Sequence, residues 1–338
     1  MFRPRTLEAA ILAMALSACS AAPVDPLDEA QASFEAQDYL AAYEHVQTAL
    51  VADADSTTAL ELLARIQLAM GRGEDVAATL DRLEAAGGGS EDLVLVEAEA
   101  KLQSGETDAA IELIGNARSA EAWRLRALAA DLEGDEEGAR AAFRQGRSAE
   151  GERVRLYTAE ASYLLARGET QDAARAVARA VGAAPERVET LFVAGRLAEA
   201  QGNHLVALSN YLRIIEKVPL DRPALIAAIA ASERADKPEI TRHLIAYGAE
   251  TRPLDPEFVY QQARVRAWDG EWADARELLQ ASEAELADHD PARLLYAESL
   301  LQLGQVETAR AIAAPVVARN RGDAEAMRVQ AAIEAASS

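Results

Sequence analysis

Two stretches decide the fold: Gly105-Glu106-Thr107-Asp108-Ala109-Ala110 and Gly168-Glu169-Thr170-Gln171-Asp172-Ala173. In each, a Gly is followed by polar residues of the kind that begin a helix, and an Ala stands five residues after the Gly. The same register recurs at Gln37/Ala42, Gly71/Val76, Gly134/Ala139, Gly202/Ala207, Ala235/Ile240, Gly270/Ala275 and Gly304/Ala309. Successive turn positions are 34, 34, 29, 34, 34, 33, 35 and 34 residues apart. Such a period predicts an array of repeated helical hairpins.

Small residues occupy a second fixed position, seven residues before each turn. They are Ala30, Ala64, Ala98, Ala127, Ala161, Gly195, Ala228, Ala263 and Ala297. A larger side chain there would push the two helices of a hairpin apart, so we expect these positions to be buried. Nine residues after the turns stand bulkier side chains, which we expect to fill the space between hairpins: Val46, Leu80, Ile114, Phe143, Val177, Tyr211, Leu244 and Leu279.

This pattern resembles the tetratricopeptide (TPR) family over about residues 23 to 322. Pro185 and Pro219 stand where that repeat places a proline to end its second helix. The resemblance implies an all-α fold, a right-handed α-solenoid of about nine TPR-like helical hairpins. Residues 323 to 336 are expected to form the solvating helix that covers the last repeat.

Two irregularities interrupt the array. The interval from Gly105 to Gly134 is short, which predicts a second helix truncated near Gly115-Asn116. The run Gly87-Gly88-Gly89-Ser90 predicts a flexible break, and a hinge over residues 86 to 120 and a simple loop insertion both remain open. The predicted organisation is a signal peptide (1–18), a lipid-anchored linker (19–26), amino-terminal repeats (27–86), a main array (87–322) and a carboxy-terminal helix and tail (323–338).

The amino terminus has the form of an export signal. Arg3 and Arg5 precede an apolar run, residues 9 to 16, that is too short to span a bilayer. Leu16-Ser17-Ala18-Cys19 resembles the bacterial lipobox, and that resemblance implies lipidation of Cys19. Ser20 after it implies sorting to the outer membrane, facing the periplasm; ordinary secretion with cleavage after Ala22 is the alternative. Because Cys19 is the only cysteine, no disulfide can form within the chain.

Composition and motifs argue against catalysis. The formal net charge of -22 disfavours nucleic acid and anionic lipid as main ligands, so we expect membrane contact only through the lipid anchor. The four histidines lie far apart and lack a second ligand at helical spacing, so we expect no metal site and no cofactor. The sequence holds no phosphate-cradling Gly loop and no nucleophile elbow. We therefore expect no catalytic residue, no small-molecule substrate and a protein that is not an enzyme.

In the TPR family, ligands usually lie along the concave face formed by the first helix of each repeat, at its fifth and ninth positions. Carried onto this sequence, the register predicts a partner-binding groove of Phe192, Arg196, Leu225, Ile229, Tyr260, Arg264 and Leu294. Arginine offers paired hydrogen bonds to carboxylates and aromatic rings offer apolar anchors, which suits a protein or peptide with acidic residues. Alternatively, the arginines are solvated and pair with Glu189, Glu199 or Glu257.

The resemblance and the address together predict a scaffold or adaptor. It would be an outer-membrane lipoprotein that assists assembly of an envelope machine such as a pilus, a secretion channel or a polysaccharide exporter. The alternative is a regulatory subunit of an envelope enzyme, for example a peptidoglycan hydrolase or glycosyltransferase. Trp123 and Trp272 fall at positions that the family keeps aromatic, and we expect both in the core.

Overall fold

A computed structural model describes residues 25–89 and 91–337. The predicted signal peptide (1–18), Cys19 and nearly all of the predicted linker lie outside the described residues, and so does Ser90 of the predicted flexible break. Every regular element in the described residues is an α-helix, which confirms the all-α fold class. None of the helices in these two ranges is long and apolar enough to cross a membrane.

The described part of the chain divides into two compact units, with the boundary between residues 104 and 105. In the first unit, consecutive helices pack against one another: α1 on α2, α2 on α3, α3 on α4 and α4 on α5. Its helices are α1 Pro26–Glu35, α2 Tyr39–Ala52, α3 Thr57–Ala69, α4 Gly73–Ala85 and α5 Glu91–Gln103.

The second unit continues the same alternation and ends with the single helix α19. Hairpins α7/α8, α9/α10, α11/α12, α13/α14, α15/α16 and α17/α18 follow one another. Helix α9 also contacts the first helices α7 and α11, and α17 contacts α15. The helices are α6 Thr107–Ile114, α7 Ala120–Leu132, α8 Glu136–Gly146, α9 Val154–Ala166, α10 Thr170–Ala183, α11 Val188–Ala200, α12 His204–Lys217, α13 Arg222–Arg234, α14 Pro238–Thr251, α15 Pro256–Trp268, α16 Trp272–Ala281, α17 Asp290–Gln302, α18 Val306–Arg319 and α19 Ala324–Ala336. The predicted capping helix is confirmed, since α19 packs on α17 and α18.

Small residues at the hairpin crossings are buried, as the sequence predicts. All eight alanines of the set have no exposed surface, and Gly195 is buried on α11. A Cβ atom built on Gly195 would lie only 2.5 Å from Cε1 of Tyr211 on α12. The helices of this hairpin therefore approach so closely that a methyl group does not fit.

The turns between paired helices use residues with positive φ. The φ values lie between 73° and 78° at Gly71, Gly105, Gly134, Gly168, Gly202, Gly270 and Gly304, and Gln37 has φ 63°. The seventh repeat departs from the predicted register. Its positive-φ residue is Asp236 (φ 53°), while Ala235 is the C-cap residue of α13, with φ -86°.

This one-residue correction restores the period, because 34 residues separate Gly202 from Asp236 and 34 separate Asp236 from Gly270. The position five residues after the turn is then Thr241 and not Ile240. Thr241 is 2 % exposed, and its hydroxyl lies 2.8 Å from that of buried Ser232. The position seven residues before the turn is Ile229, so the rule of a small residue fails in this repeat, although Ala228 beside it is also buried.

The predicted truncation is confirmed. Helix α6 ends at Ile114 after eight residues, and Gly115 follows with φ 51°. Arg126 of α7 stabilises the short connection by donating to the carbonyl oxygens of Gly115 and Ala117, at 2.8 and 2.7 Å. Pro185 and Pro219 lie just beyond the ends of α10 and α12, where their missing N–H groups are not needed.

Candidate partner-binding groove

A groove of about 430 Å³ crosses four consecutive first helices of the second unit. We call it the α7–α13 groove. Its lining residues are Arg124, Leu128, Arg155, Thr158, Ala159, Ser162, Val188, Glu189, Phe192, Val193, Asp221 and Pro223. These helices lie side by side because each small residue at a hairpin crossing lets its first helix pack closely on the second. Exposed side-chain surface of the first helices is thereby brought together on one side.

Phe192 is the aromatic side chain of this groove. It is half-buried on α11, and its ring centroid lies 5.6 Å from that of Tyr211. Tyr211 has no exposed surface, and its hydroxyl donates to Glu199 at 2.9 Å. The Phe192 ring therefore rests on a fixed partner while part of it stays accessible to a ligand.

A charge-balanced rim borders the apolar surface. Glu121 of α7 accepts two hydrogen bonds from Arg124, at 2.6 and 2.8 Å, and one from Arg155 of α9 at 2.7 Å. Burial alone would raise the pKa of Glu121, but the two guanidinium groups outweigh it and hold the pKa below the ordinary value of 4.5. Arg124 is 5 % exposed and serves the fold, whereas the Arg155 side chain keeps 39 % of its surface accessible.

A second cavity, of about 350 Å³, lies near the carboxy-terminal end of the same unit. We call it the aromatic pocket. It is lined by Tyr260, Arg264, Ala267, Trp268, Trp272, Pro291, Leu295, Glu298 and Glu325. The guanidinium carbon of Arg264 lies 5.6 Å from the centroid of Tyr260 and 4.7 Å from that of Trp268. Arg264 is thus held by two aromatic faces.

Arg264 also pairs with one carboxylate and one side-chain amide of the same unit. Its guanidinium lies 3.1 Å from a carboxylate oxygen of Glu233 and donates to Gln261 at 2.5 Å. Glu233 is not one of the carboxylates that the sequence suggested as partners. The Arg264 charge is therefore largely compensated within the fold, and Tyr260 and Trp268 are the accessible features of this pocket.

The sequence-predicted groove residues do not form one surface. Phe192 lines the α7–α13 groove, Tyr260 and Arg264 line the aromatic pocket, and Arg196 is half-buried on α11 without an ion pair among the described residues. Leu225, Ile229 and Leu294 lie in the core instead, at 0 %, 2 % and 4 % exposed.

The burial of these three side chains has two causes. On α13 the turn lies at Asp236, so the fifth and ninth positions are Ile226 and Ala230, both half-exposed; Leu225 and Ile229 are one residue away and face the core. Leu294 is buried because it belongs to the core cluster that includes residues of the capping helix α19. In this structure the three stabilise the array and offer no side-chain surface to a partner.

Sequence reasoning missed two contributors to these cavities. Trp268, the last residue of α15, is 51 % exposed, and Arg155 falls at the second position of α9. Trp272 was expected in the core, but it is half-buried and lines the aromatic pocket. Trp123 is likewise half-buried, with the Arg126 guanidinium 4.7 Å from its ring centroid. The sequence signal for the aromatic pocket was Trp268 itself, which stands two residues before the turn residue Gly270.

His289 makes hydrogen bonds that stabilise the fold around it. His289 Nδ1 accepts from the Ala292 N–H at 3.1 Å and caps α17, so its Nε2 carries the proton and donates to Glu257 at 3.1 Å. This hydrogen bond is the main cause that holds the pKa of Glu257 below its ordinary value of 4.5. Among the described residues, no group of three or more His, Cys, Asp or Glu side chains is arranged to hold a metal ion.

Family comparison agrees with this architecture. Two family models, each described as a tetratricopeptide repeat, match residues 158–222 and 269–333. The chain is a tetratricopeptide-repeat protein. Both matched stretches fall in the second unit; the first includes Phe192, and the second begins just after α15, the helix that carries Tyr260, Arg264 and Trp268 of the aromatic pocket.

One solved structure supports the fold, and a second aligns more weakly. A tetratricopeptide-repeat protein from Parabacteroides merdae aligns with a TM-score of 0.52 at 15 % identity, over 73 % of this chain and 99 % of that one. A human IFIT1 dimer with m7Gppp-AAAA aligns with a TM-score of 0.46 at 12 % identity, over 87 % and 89 % of the two chains. No curated protein sequence matches the chain. Tetratricopeptide repeats indicate protein or peptide partners.

Proposed function

We propose that this tetratricopeptide-repeat protein is a non-enzymatic scaffold whose α7–α13 groove binds one segment of a partner protein. The observation that carries the proposal is the groove itself: an accessible aromatic ring, Phe192, set among apolar side chains of four successive first helices. A cavity of about 430 Å³ accepts a few side chains of a peptide or helix.

The rim defines the chemistry of that segment. The Arg155 side chain keeps 39 % of its surface accessible, and its guanidinium offers planar N–H donors at the edge of the groove. Its exposed side can therefore also bind a carboxylate of the partner, while Phe192 contacts an apolar side chain. The proposed ligand is an apolar segment with at least one acidic residue beside it.

The proposed setting is the cell envelope. We propose an outer-membrane lipoprotein, anchored through Cys19 and facing the periplasm, that assists assembly of an envelope machine such as a pilus, a secretion channel or a polysaccharide exporter. The support for this setting is the amino-terminal sequence alone, in particular Arg3, Arg5 and the lipobox-like Leu16-Ser17-Ala18-Cys19.

The groove is tested by crosslinking and affinity capture in the native host with two matched variants. Phe192→Glu introduces a charge into the groove, and Leu205→Glu makes the same type of change at a 58 % exposed residue on α12 of the same repeat. We expect one partner to be captured by the wild type and by Leu205→Glu but lost with Phe192→Glu. Equal capture by all three proteins, with both variants folded by circular dichroism, would show that the partner binds elsewhere.

The anchor is tested separately by mass spectrometry of the mature amino terminus. We expect acyl chains on Cys19 in the wild type, and release of Cys19→Ser from the membrane fraction. A mature chain that begins after Ala22 would replace the lipoprotein by a secreted protein and would leave the groove proposal intact.

A further inference from the structure

A cluster of arginines surrounds a small pocket on the second helices, away from the first-helix residues of the α7–α13 groove. The pocket has a volume of about 280 Å³ and lies among α8, α9 and α10. We call it the arginine pocket. Its lining residues are Arg140, Phe143, Arg144, Arg147, Glu160, Tyr163, Leu164, Asp172, Arg175 and Arg179.

Helical spacing explains how five arginines meet there. Arg140, Arg144 and Arg147 are four and three residues apart on α8 and at its end, so they project from one face. Arg175 and Arg179 are four residues apart on α10. Helix α9 lies between α8 and α10 and contributes Glu160, Tyr163 and Leu164 to the lining. Two stripes of guanidinium groups therefore face each other across the pocket.

Some of this positive charge is compensated and some is not. Arg140 is hydrogen-bonded to Glu136 and Glu169, and Arg175 is hydrogen-bonded to Asp172. Arg144, in contrast, is exposed and makes no ion pair with any described residue. The lining contains five arginines but only two carboxylates, in a chain whose net charge is -22. The pocket thus concentrates cations where the chain as a whole is acidic.

A buried carboxylate orders the cluster. Glu160 of α9 is 6 % exposed and is paired with Arg147 through one oxygen. Its other oxygen is buried, has no hydrogen-bond partner, and lies 3.6 Å from a guanidinium nitrogen of Arg179. Glu160 therefore holds Arg147 and Arg179 on the same side of the pocket, with most of their N–H donors left for another acceptor.

We propose that the arginine pocket binds a phosphate monoester group. Donors that converge from two helices suit a tetrahedral oxyanion with three terminal oxygens better than a carboxylate with two. A charge near -2 at neutral pH complements a lining in which arginines outnumber carboxylates. The volume suits a head group and excludes a folded segment. The phosphate group could belong to a soluble ester or to a lipid head group.

The test titrates the full-length protein with glycerol 3-phosphate by calorimetry, at constant ionic strength set with chloride. We expect saturable binding that weakens at least tenfold in Arg144→Gln/Arg179→Gln. The matched control, Arg276→Gln/Arg310→Gln, removes two charges from other second helices and is expected to bind like the wild type. Arg144→Lys keeps the charge but loses the planar fork, so we expect an intermediate affinity.

A second arm distinguishes the sources by flotation with vesicles of phosphatidylcholine, with and without phosphatidic acid. Any attachment of the proposed lipid anchor at the amino terminus to the vesicles is the same in all variants. The measured quantity is therefore the difference in the floated fraction between the wild type and the double variant. A difference that appears only with phosphatidic acid identifies a lipid head group; saturable glycerol 3-phosphate binding without it identifies a soluble ester. The proposal is overturned if neither glycerol 3-phosphate binding nor a phosphatidic-acid-dependent difference is observed. It is also overturned if the wild type and the double variant bind equally while the melting temperature of the double variant is unchanged.

Discussion

Gly195→Ala is the most direct test of how closely the helices of a hairpin approach. Gly195 lies in the interior of α11, where alanine is favoured over glycine by about 1 kcal/mol in the absence of contacts. The structure opposes this gain. A Cβ atom at Gly195 would lie 2.5, 2.7 and 3.1 Å from three atoms of the Tyr211 ring. Ordinary carbon contacts are about 3.5–4.0 Å, so the overlap is close to 1 Å.

The Tyr211 ring cannot withdraw without loss. It has no exposed surface, it contacts Phe192, and its hydroxyl donates to Glu199. Overpacking of a well-packed core costs about 1–3 kcal/mol. After the helix-propensity gain is subtracted, we expect Gly195→Ala to lower the free energy of unfolding by roughly 0–2 kcal/mol.

Gly182→Ala is the matched control. Gly182 lies near the end of α10, and a Cβ atom there would meet no other atom within 4 Å. We expect this variant to be stabilised by about 0.5 kcal/mol through helix propensity alone. Both free energies are measured by urea unfolding followed by circular dichroism, with hydrogen exchange to assign the change to the α11/α12 hairpin.

A double-mutant cycle identifies the cause. In the background Tyr211→Leu, where the ring is gone, Gly195→Ala is expected to be neutral or stabilising. If Gly195→Ala raised stability in the wild-type background, as Gly182→Ala is expected to do, the close approach of α11 and α12 described above would be refuted.

Other substitutions probe other parts of the fold. Ala161→Leu and Ala263→Leu are each expected to destabilise by about 1–3 kcal/mol, because both alanines have no exposed surface; urea unfolding measures this, and no loss at either site would contradict the hairpin register. Thr241→Val is expected to cost about 1–2 kcal/mol through loss of the buried hydrogen bond with Ser232, whereas Ile240→Val, at the position first assigned by spacing, should cost less. The Glu257 pKa is lowered by His289, so its contribution to stability is present above pH 4.5 and is lost as the pH falls below that value; the difference between wild type and Glu257→Gln should therefore shrink between about pH 6 and pH 3, and a constant difference would argue against the pair.

Most of the architecture could be predicted because, in eight of the nine turns, the residue with positive φ stands at the turn position assigned from the sequence period. Seven of those eight have a glycine with positive φ, and the eighth has Gln37. The seventh turn in the chain has Ala235-Asp236 and no glycine, and there the prediction was one residue early. Aspartate tolerates the left-handed conformation better than alanine, and the flanking spacings of 33 and 35 already averaged to the period of 34. Those two signals together point to Asp236.

The candidate site was less predictable, because a groove depends on rotation about each helix axis. One residue turns a helix by about 100°, so the error at Asp236 exchanged Ile226 and Ala230 for the buried Leu225 and Ile229. The ion pairs that the arginines form with carboxylates could not be read from the sequence either. Arg124 and Arg264 are paired with the local carboxylates Glu121 and Glu233, and Arg155, which also pairs with Glu121, keeps 39 % of its side-chain surface accessible.

Net charge alone does not exclude a small anionic ligand. A total of -22 argues against a polyanionic ligand only if charges act over the whole surface. At physiological ionic strength exposed charges more than about 8 Å apart are largely screened, so the local arrangement decides what a small pocket binds. Arg144 and Arg179 lie on neighbouring second helices, and Glu160, which lies 3.6 Å from Arg179, is buried. An acidic protein can therefore carry an anion site, provided that the ligand is small enough to contact the arginines without reaching the acidic surface around them.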